Sequence, residues 1–84
     1  MHWDVIKVRA LPEFVLAVEL KDGRTGIFDV KPFLQHPSLA RLRDPAYFRQ
    51  VGIQWGALTW PEQEDIAPDT LEAHLQPLAI AAPA

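Results

Sequence analysis

The sequence predicts a single small α+β domain, in which an antiparallel sheet of about five strands carries short helical turns and a C-terminal helix on one side. Two observations predict this class. Apolar and polar residues alternate in three segments before residue 31 and in two segments after residue 50, as in half-buried strands. Prolines interrupt the stretch between them and open the last helix. We expect the domain to span residues 1–76, with a tail at 77–84.

The first three strands are predicted at residues 3–10, 13–20 and 24–30. The turn between the second and third contains Gly23, and its geometry decides which residues pair. A three-residue loop with Gly23 in the left-handed conformation pairs Leu16 with Phe28 and Phe14 with Val30. We prefer this loop because it places the apolar side chains of both strands on the same face.

Two start signals for helical turns lie in the proline-rich middle. Ser38 is expected to cap a short turn. Asp44 followed by Pro45 is a stronger helix start, because the carboxylate accepts the free amide hydrogens of the first turn and proline has none. A small basic cluster lies nearby, at Arg41, Arg43 and Arg49.

A second hairpin is predicted around a tight turn at Trp55-Gly56. This turn pairs Ile53 with Leu58 and directs Trp60 into the core. Trp55 itself lies at the tip, where an aromatic side chain either folds back over the sheet or stays exposed as a contact for a partner.

The last predicted element is a helix that begins at Pro68 and ends at Pro77. Leu71 and Leu75 lie one turn apart on its inner side. The remaining residues have the composition of a frayed tail.

Composition excludes several kinds of chemistry. The chain contains no cysteine, which rules out disulfides, thiolate zinc sites and cysteine nucleophiles. The first ten residues lack the pattern of a secretory signal, and no apolar run approaches the length of about 20 residues that spans a bilayer. We therefore expect a soluble cytoplasmic protein that needs no cofactor and does not enter a membrane.

The charges are divided along the chain. All eight Lys and Arg lie between Lys7 and Arg49, so that the net charge is +2 up to Arg49 and −5 beyond it. An acidic final third repels nucleic acid and attracts a basic protein partner. The alternative is that these carboxylates form a solvated surface and favour a helix N-terminus.

No set of residues specifies a reaction. The three histidines, His2, His36 and His74, lack the spacing of a metal site. A small hydrolase that uses Glu62, Glu64 and Asp65 as an acid and base pair is one alternative. We predict a protein that is not an enzyme.

The leading hypothesis is a protein-interaction module, in which a basic partner binds through Trp55, Glu62, Glu64 and Asp65. A DNA-binding accessory that uses the arginine cluster is a second hypothesis, although we expect no nucleic-acid partner. Open sheet edges also leave homo-oligomer formation as an expectation.

The closing block LTWPEQEDIAPDTL, residues 58–71, gives the chain a resemblance to a family. With the segment LRDPAYFRQV it is similar to the bacterial domain-of-unknown-function family 2442, over residues 5–75. The most specific positions are Trp60, Pro61, Asp65, Ile66, Pro68, Asp69, Thr70 and Leu71.

The resemblance implies no established activity. It implies small proteins that often stand alone, are sometimes joined to a helix-turn-helix domain, and are often encoded beside another small protein in an arrangement like that of toxins and antitoxins. Family members usually carry Asn-Gly after the Trp-Pro pair, where this chain has Glu62-Gln63. This departure removes the residues that favour a tight left-handed turn at that point.

Overall fold

The computed structural model describes residues 4–77 and confirms an α+β fold. The strands are β1 (Val5–Leu11), β2 (Val15–Leu20), β3 (Thr25–Asp29), β4 (Gly52–Gln54), β5 (Ala57–Thr59), β6 (Asp65–Ile66) and β7 (Gln76–Pro77). The α-helices are α1 (Pro45–Phe48) and α2 (Pro68–His74). Three 3-10 segments connect them, at Pro12–Phe14, Lys31–Phe33 and Pro37–Arg43.

The first sheet has the strand order β1-β2-β3-β7, and its predicted register is confirmed. Leu16 lies opposite Phe28. Gly23 has a φ of 95°, and its N–H donates to the carbonyl of Leu20 at 2.9 Å, as the three-residue loop requires. The turn residue therefore determines which side chains enter the core.

The second sheet has the order β4-β5-β6, and Ile53 lies opposite Leu58 as predicted. All five predicted strands are present, but they divide between two sheets. The two strands that the alternation did not predict, β6 and β7, have only two residues each, which is too short for a periodic pattern.

The C-terminal helix is shorter than predicted. It begins at Pro68 as expected but ends at His74, because Gln76 and Pro77 leave it to pair with β3. The predicted tail at 77–84 lies outside the described residues except for Pro77, which belongs to β7.

Two local predictions are wrong. Glu13 and Phe14 do not extend β2; they have φ values of 63° and 62° in the 3-10 segment that Pro12 opens. Phe14 nevertheless accepts a hydrogen bond from the N–H of Val30, so the predicted pairing partner is kept. Ser38 is not a cap, because its 3-10 segment begins one residue earlier and no side chain caps it.

The helix start at Asp44-Pro45 is confirmed, since the Asp44 carboxylate accepts the N–H of Ala46 at 3.0 Å. Helix α1 brings Phe48 against the core, where its ring lies 5.3 Å from that of Phe14. The fully or nearly fully buried apolar side chains are Val5, Leu16, Val18, Leu20, Phe28, Val30, Leu39, Leu42, Phe48, Leu58, Trp60, Ile66 and Leu71.

Candidate partner-binding site

The tip of the β4–β5 hairpin presents an aromatic side chain to solvent. Trp55 and Gly56 have φ values of 55° and 78°, the left-handed pair of a type I′ turn, whose twist matches that of the flanking strands. The side chain of Trp55 is 89% exposed. Of the two alternatives for this indole, the structure therefore shows the exposed one.

This turn is fixed to the start of β1. The N–H of Val5 donates to the carbonyl of Gly56 at 2.9 Å. A Cβ on Gly56 would lie 2.5 Å from Cγ of Asp4, so only glycine allows the approach. The exposed indole consequently stands on an anchored backbone.

A second tight turn follows β5. The N–H of Gln63 donates to the carbonyl of Trp60 at 2.9 Å, and the N–H of Trp60 donates to the carbonyl of Glu64 at 3.0 Å. Gln63 has a φ of 76°. The left-handed turn thus forms although Glu62-Gln63 replaces the residues that favour it.

Glu64 is not an exposed acid of this loop, contrary to the expectation that it contacts a partner. Its side chain is only 6% exposed and lies 3.0 Å from Nε of Arg41. The hydroxyl of Tyr47 donates to the other carboxylate oxygen at 2.5 Å. The same hydroxyl accepts the N–H of Glu62 at 2.7 Å, so it ties the loop to α1.

These contacts set the pKa of both acidic groups. Burial alone would raise the pKa of Glu64, but hydrogen bonds from Tyr47 and the backbone, with the charge and hydrogen bond of Arg41, lower it below its ordinary value. Burial and the hydrogen bond to Glu64 raise the pKa of the Tyr47 phenol. Glu64 is therefore held ionised and Tyr47 is held protonated.

An open groove of about 940 Å³ lies on the outer face of the second sheet. Trp55 forms one wall, and Asp65 contributes an exposed carboxylate. Its lining residues, none of them basic, are Gln50, Gly52, Gln54, Trp55, Ala57, Thr59, Trp60, Pro61, Gln63 and Asp65. We call this the Trp55 groove.

The acids of the final third differ in how they are paired. Glu64 is bound by Arg41, and Glu72 lies 3.0 Å from Nη1 of Arg24. Among residues 4–77, the other three acids beyond Arg49 make no ion pair, namely Glu62, Asp65 and Asp69. Asp65 lies inside the Trp55 groove, and Glu62 and Asp65 both border the adjoining depression beside Arg41.

Two arginines of the cluster, Arg41 and Arg43, are bound within the domain. Arg41 binds Glu64, and its guanidinium lies 6.0 Å from the centre of the Tyr47 ring. Nε of Arg43 donates to the carbonyl of Leu34 at 2.8 Å. Arg41 is therefore paired with an acid of the final third.

The Trp55 groove forms a cleft beside Asp65, but its lining holds few side chains that could act as an acid, a base or a nucleophile. Its lining contains no histidine, serine or second carboxylate. Within residues 4–77, no group of three His, Cys, Asp or Glu side chains could hold a metal ion. Over the same residues, no helix is long and apolar enough to cross a membrane.

Two parts of this site were not predicted from the sequence. Tyr47 belongs to the short helix predicted after Asp44, and no polar role was predicted for it, whereas its hydroxyl joins α1 to the loop. A tyrosine on an inward helical face requires a polar partner, and that requirement was the available signal. The amide side chains of the groove, Gln50, Gln54 and Gln63, gave no signal because isolated glutamines are ordinary surface residues.

The fold and the site define a class of small α+β domain, with two antiparallel sheets and an exposed tryptophan on a hairpin tip. A family model described as "Protein of unknown function (DUF2442)" matches residues 5–77, and the chain belongs to this family. The resemblance drawn from residues 58–71 is thereby confirmed. No curated protein and no solved structure matches the chain.

Proposed function

We propose that this chain is a non-enzymatic interaction module that binds a basic segment of a partner protein in the Trp55 groove. The observation that carries the proposal is the exposure of Trp55. A tryptophan side chain that stays in water forgoes the large free energy of burying its apolar surface, and tryptophan is among the residues enriched at the hot spots of protein interfaces. At 89% exposure, its side chain buries little surface in the described fold.

Charge indicates what the groove would bind. Asp65 is an exposed carboxylate without an ion pair among the described residues, and the groove lining includes no Lys or Arg. A lysine or arginine of the partner could pair with Asp65 while its side chain packs against the indole face of Trp55. Glu62, on the adjoining loop, adds a second carboxylate to this side of the molecule.

The rigidity of the groove favours binding. The hairpin tip is anchored by the hydrogen bond between Val5 and Gly56, and the loop is anchored by Tyr47. A surface that is already ordered loses little conformational entropy when a partner binds. Glu64 contributes to binding only by holding this loop, since its own carboxylate is occupied.

The family resemblance suggests the biological setting of this activity. We propose the antitoxin-like or regulatory half of a two-protein system, with the partner encoded by the adjacent gene. A cytoplasmic location is part of the same proposal. A basic partner of that kind would be drawn to an acidic surface at low ionic strength.

The test is a calorimetric titration of the full chain with the protein that the adjacent gene encodes. We expect Trp55→Ala to weaken binding about 30-fold, as for an interface hot spot, and Asp65→Lys about tenfold. Asp69→Lys is the matched control, because Asp69 is also without an ion pair but lies on α2 outside the groove.

Binding that is unchanged in both groove variants would overturn the assignment of the groove. Binding that is weakened by Trp55→Ala but insensitive to Asp65→Lys and to salt would overturn the basic character of the partner. Absence of any binding would overturn the proposed pairing with the adjacent gene.

A further inference from the structure

Gly52 lies at the start of β4, although neither its backbone nor its surroundings require glycine. Its φ is outside the left-handed region, and a Cβ at this position would meet no atom within 4 Å. Glycine stabilises a strand less than other residues do, and it often lies where a ligand or another backbone approaches closely. The open space above Gly52 therefore indicates a place where a second chain can pass.

Gly52 ends a row of residues that crosses the second sheet. It lies opposite Thr59, and Thr59 lies opposite Asp65. Directly paired residues face the same side of a sheet, so this row forms part of the floor of the Trp55 groove, which all three residues line. From Asp65 to Gly52 the row covers two strand spacings, which is about 10 Å.

A second groove adjoins the first at Gly52 and crosses the face of the first sheet that points away from the core. It has a volume of about 640 Å³, and its lining includes Gly52, Arg9, Ala17 and Glu19. Because Gly52 lines both grooves and β4 lies against β1, the two grooves follow one another over the surface of the two sheets. We call the second one the Arg9 groove.

The Arg9 groove has the opposite charge to the Trp55 groove. Lys7 and Glu19 lie 3.7 Å apart and balance each other, whereas Arg9 is exposed and makes no ion pair among residues 4–77. Two exposed aliphatic side chains also line this groove, Ile6 at 47% and Ile53 at 38%. One groove thus offers an unpaired carboxylate, and the other offers an unpaired guanidinium beside an aliphatic surface.

We infer that one extended segment of the partner crosses both grooves over Gly52, with its basic end in the Trp55 groove and an acidic end at Arg9. This inference rests on the proposed function and adds a second half to the same recognition surface. The middle of the segment carries aliphatic side chains that contact Ile6 and Ile53. Opposite charges at the two ends determine the direction in which the segment lies.

The test compares two blocked peptides by NMR titration of the full chain labelled with ¹⁵N. The two-ended peptide carries arginines at one end, valines in the middle and glutamates at the other end, and it is made in both chain directions. The one-ended peptide has serines in place of the glutamates. In its better direction the two-ended peptide should bind about tenfold more tightly, and it should shift the amide of Arg9 as well as those of Gly52 and Trp55.

Gly52→Tyr is the sharpest variant. Its side chain enters open space, so the fold is retained, but the ring stands where the two grooves meet. The two-ended peptide should then lose its tenfold advantage, as it should with Arg9→Glu. If Gly52→Tyr loses the native spectrum, Gly52→Thr replaces it and should also reduce this advantage.

Lys21→Glu is the matched control for Arg9→Glu. Lys21 also makes no ion pair among the described residues, and it lines neither groove. We expect this variant to keep the difference between the two peptides. A loss as large as that caused by Arg9→Glu would overturn the inference, because the effect would then follow net charge alone.

The remaining outcomes separate this inference from the proposed function. Equal affinity for the two peptides, with binding still weakened about tenfold by Trp55→Ala, would overturn the inference and leave the proposed function standing. Binding that Trp55→Ala does not weaken, or no shifts at millimolar peptide, would overturn both. A dimer in sedimentation of the chain alone that Gly52→Tyr abolishes would overturn the inference, because a second copy would then occupy the surface.

Discussion

Trp55 and Trp60 belong to the same hairpin and have opposite roles. Trp60 is 3% exposed, and its indole N–H donates to the carbonyl of Phe48 at 2.9 Å. Trp55 is 89% exposed on a left-handed turn. Trp60 lies directly after β5, on the buried side and beside a hydrogen-bond acceptor, whereas Trp55 lies in the exposed turn and has no such acceptor among the described residues. Residue type alone therefore says little about which tryptophan stabilises the fold.

Neighbouring acids repeat this contrast. Glu64 is buried against Tyr47 and Arg41, and the next residue, Asp65, is exposed in the Trp55 groove. One carboxylate holds the loop that positions the other. Substitutions at the two tryptophans and the two acids can separate the stabilising members from those available for binding.

The largest expected effect is that of Trp60→Ala. Loss of a buried tryptophan and its hydrogen bond should reduce the free energy of unfolding by about 4 kcal/mol. Trp55→Ala, the matched control, should change it by less than about 0.5 kcal/mol. Urea denaturation followed by far-ultraviolet circular dichroism measures both. Similar losses in the two variants would contradict the division of roles.

The next effect is that of Glu64→Gln. The substitution removes the charge that pairs with Arg41 and leaves the amide in a site built for two donors, so we expect a loss of about 2 kcal/mol. Asp65→Asn should stay within about 0.5 kcal/mol. Thermal unfolding of the two variants at neutral pH compares them, and an equal effect would mean that burial does not distinguish the acids.

The pH dependence of stability should report Glu64 separately. Its folded pKa lies below the ordinary value of 4.5, so its contribution is complete above that value and is lost as the pH falls through the folded pKa. The Tyr47 phenol has the opposite sign: its raised pKa gives a contribution that is lost at alkaline pH, above its ordinary value of 10.0.

We therefore expect the wild-type protein to lose stability below about pH 4.5 more steeply than Glu64→Gln does. Denaturation midpoints measured from pH 3 to 7 would show this, with Asp65→Asn as the control. Parallel curves for wild type and Glu64→Gln would contradict the lowered pKa.

The smallest expected effect on stability is an increase in the free energy of unfolding. Trp55 occupies a left-handed conformation that asparagine adopts more readily, so Trp55→Asn should raise the free energy of unfolding by about 1 kcal/mol. The same variant should lose partner binding in the calorimetric titration. A stabilised variant that keeps full affinity would show that Trp55 serves neither role.

Much of the fold followed from the sequence because local patterns determined it. The left-handed Gly23 gave the β2–β3 register, and alternation placed Leu58 and Trp60 inside. The candidate site was harder to predict from the sequence. Glu64 and Asp65 are adjacent acids, and no local pattern shows which of them is buried. Glu64 is buried because tertiary folding brings Tyr47 and Arg41 to its carboxylate.

Strand β7 was missed for a related reason. Gln76 and Pro77 carry no apolar alternation, and their pairing with Ile27 and Gly26 depends on where α2 ends. The left-handed pair that follows Pro12, Glu13 and Phe14, could not be anticipated, since both residues ordinarily avoid that conformation.

The hydrogen bond between Val5 and Gly56 gives the molecule a property beyond stability. It joins the backbone that carries Trp55 to the first strand of the other sheet. A displacement of the hairpin tip is therefore resisted by the first sheet as well as by the turn itself, and the position of the indole depends on both sheets.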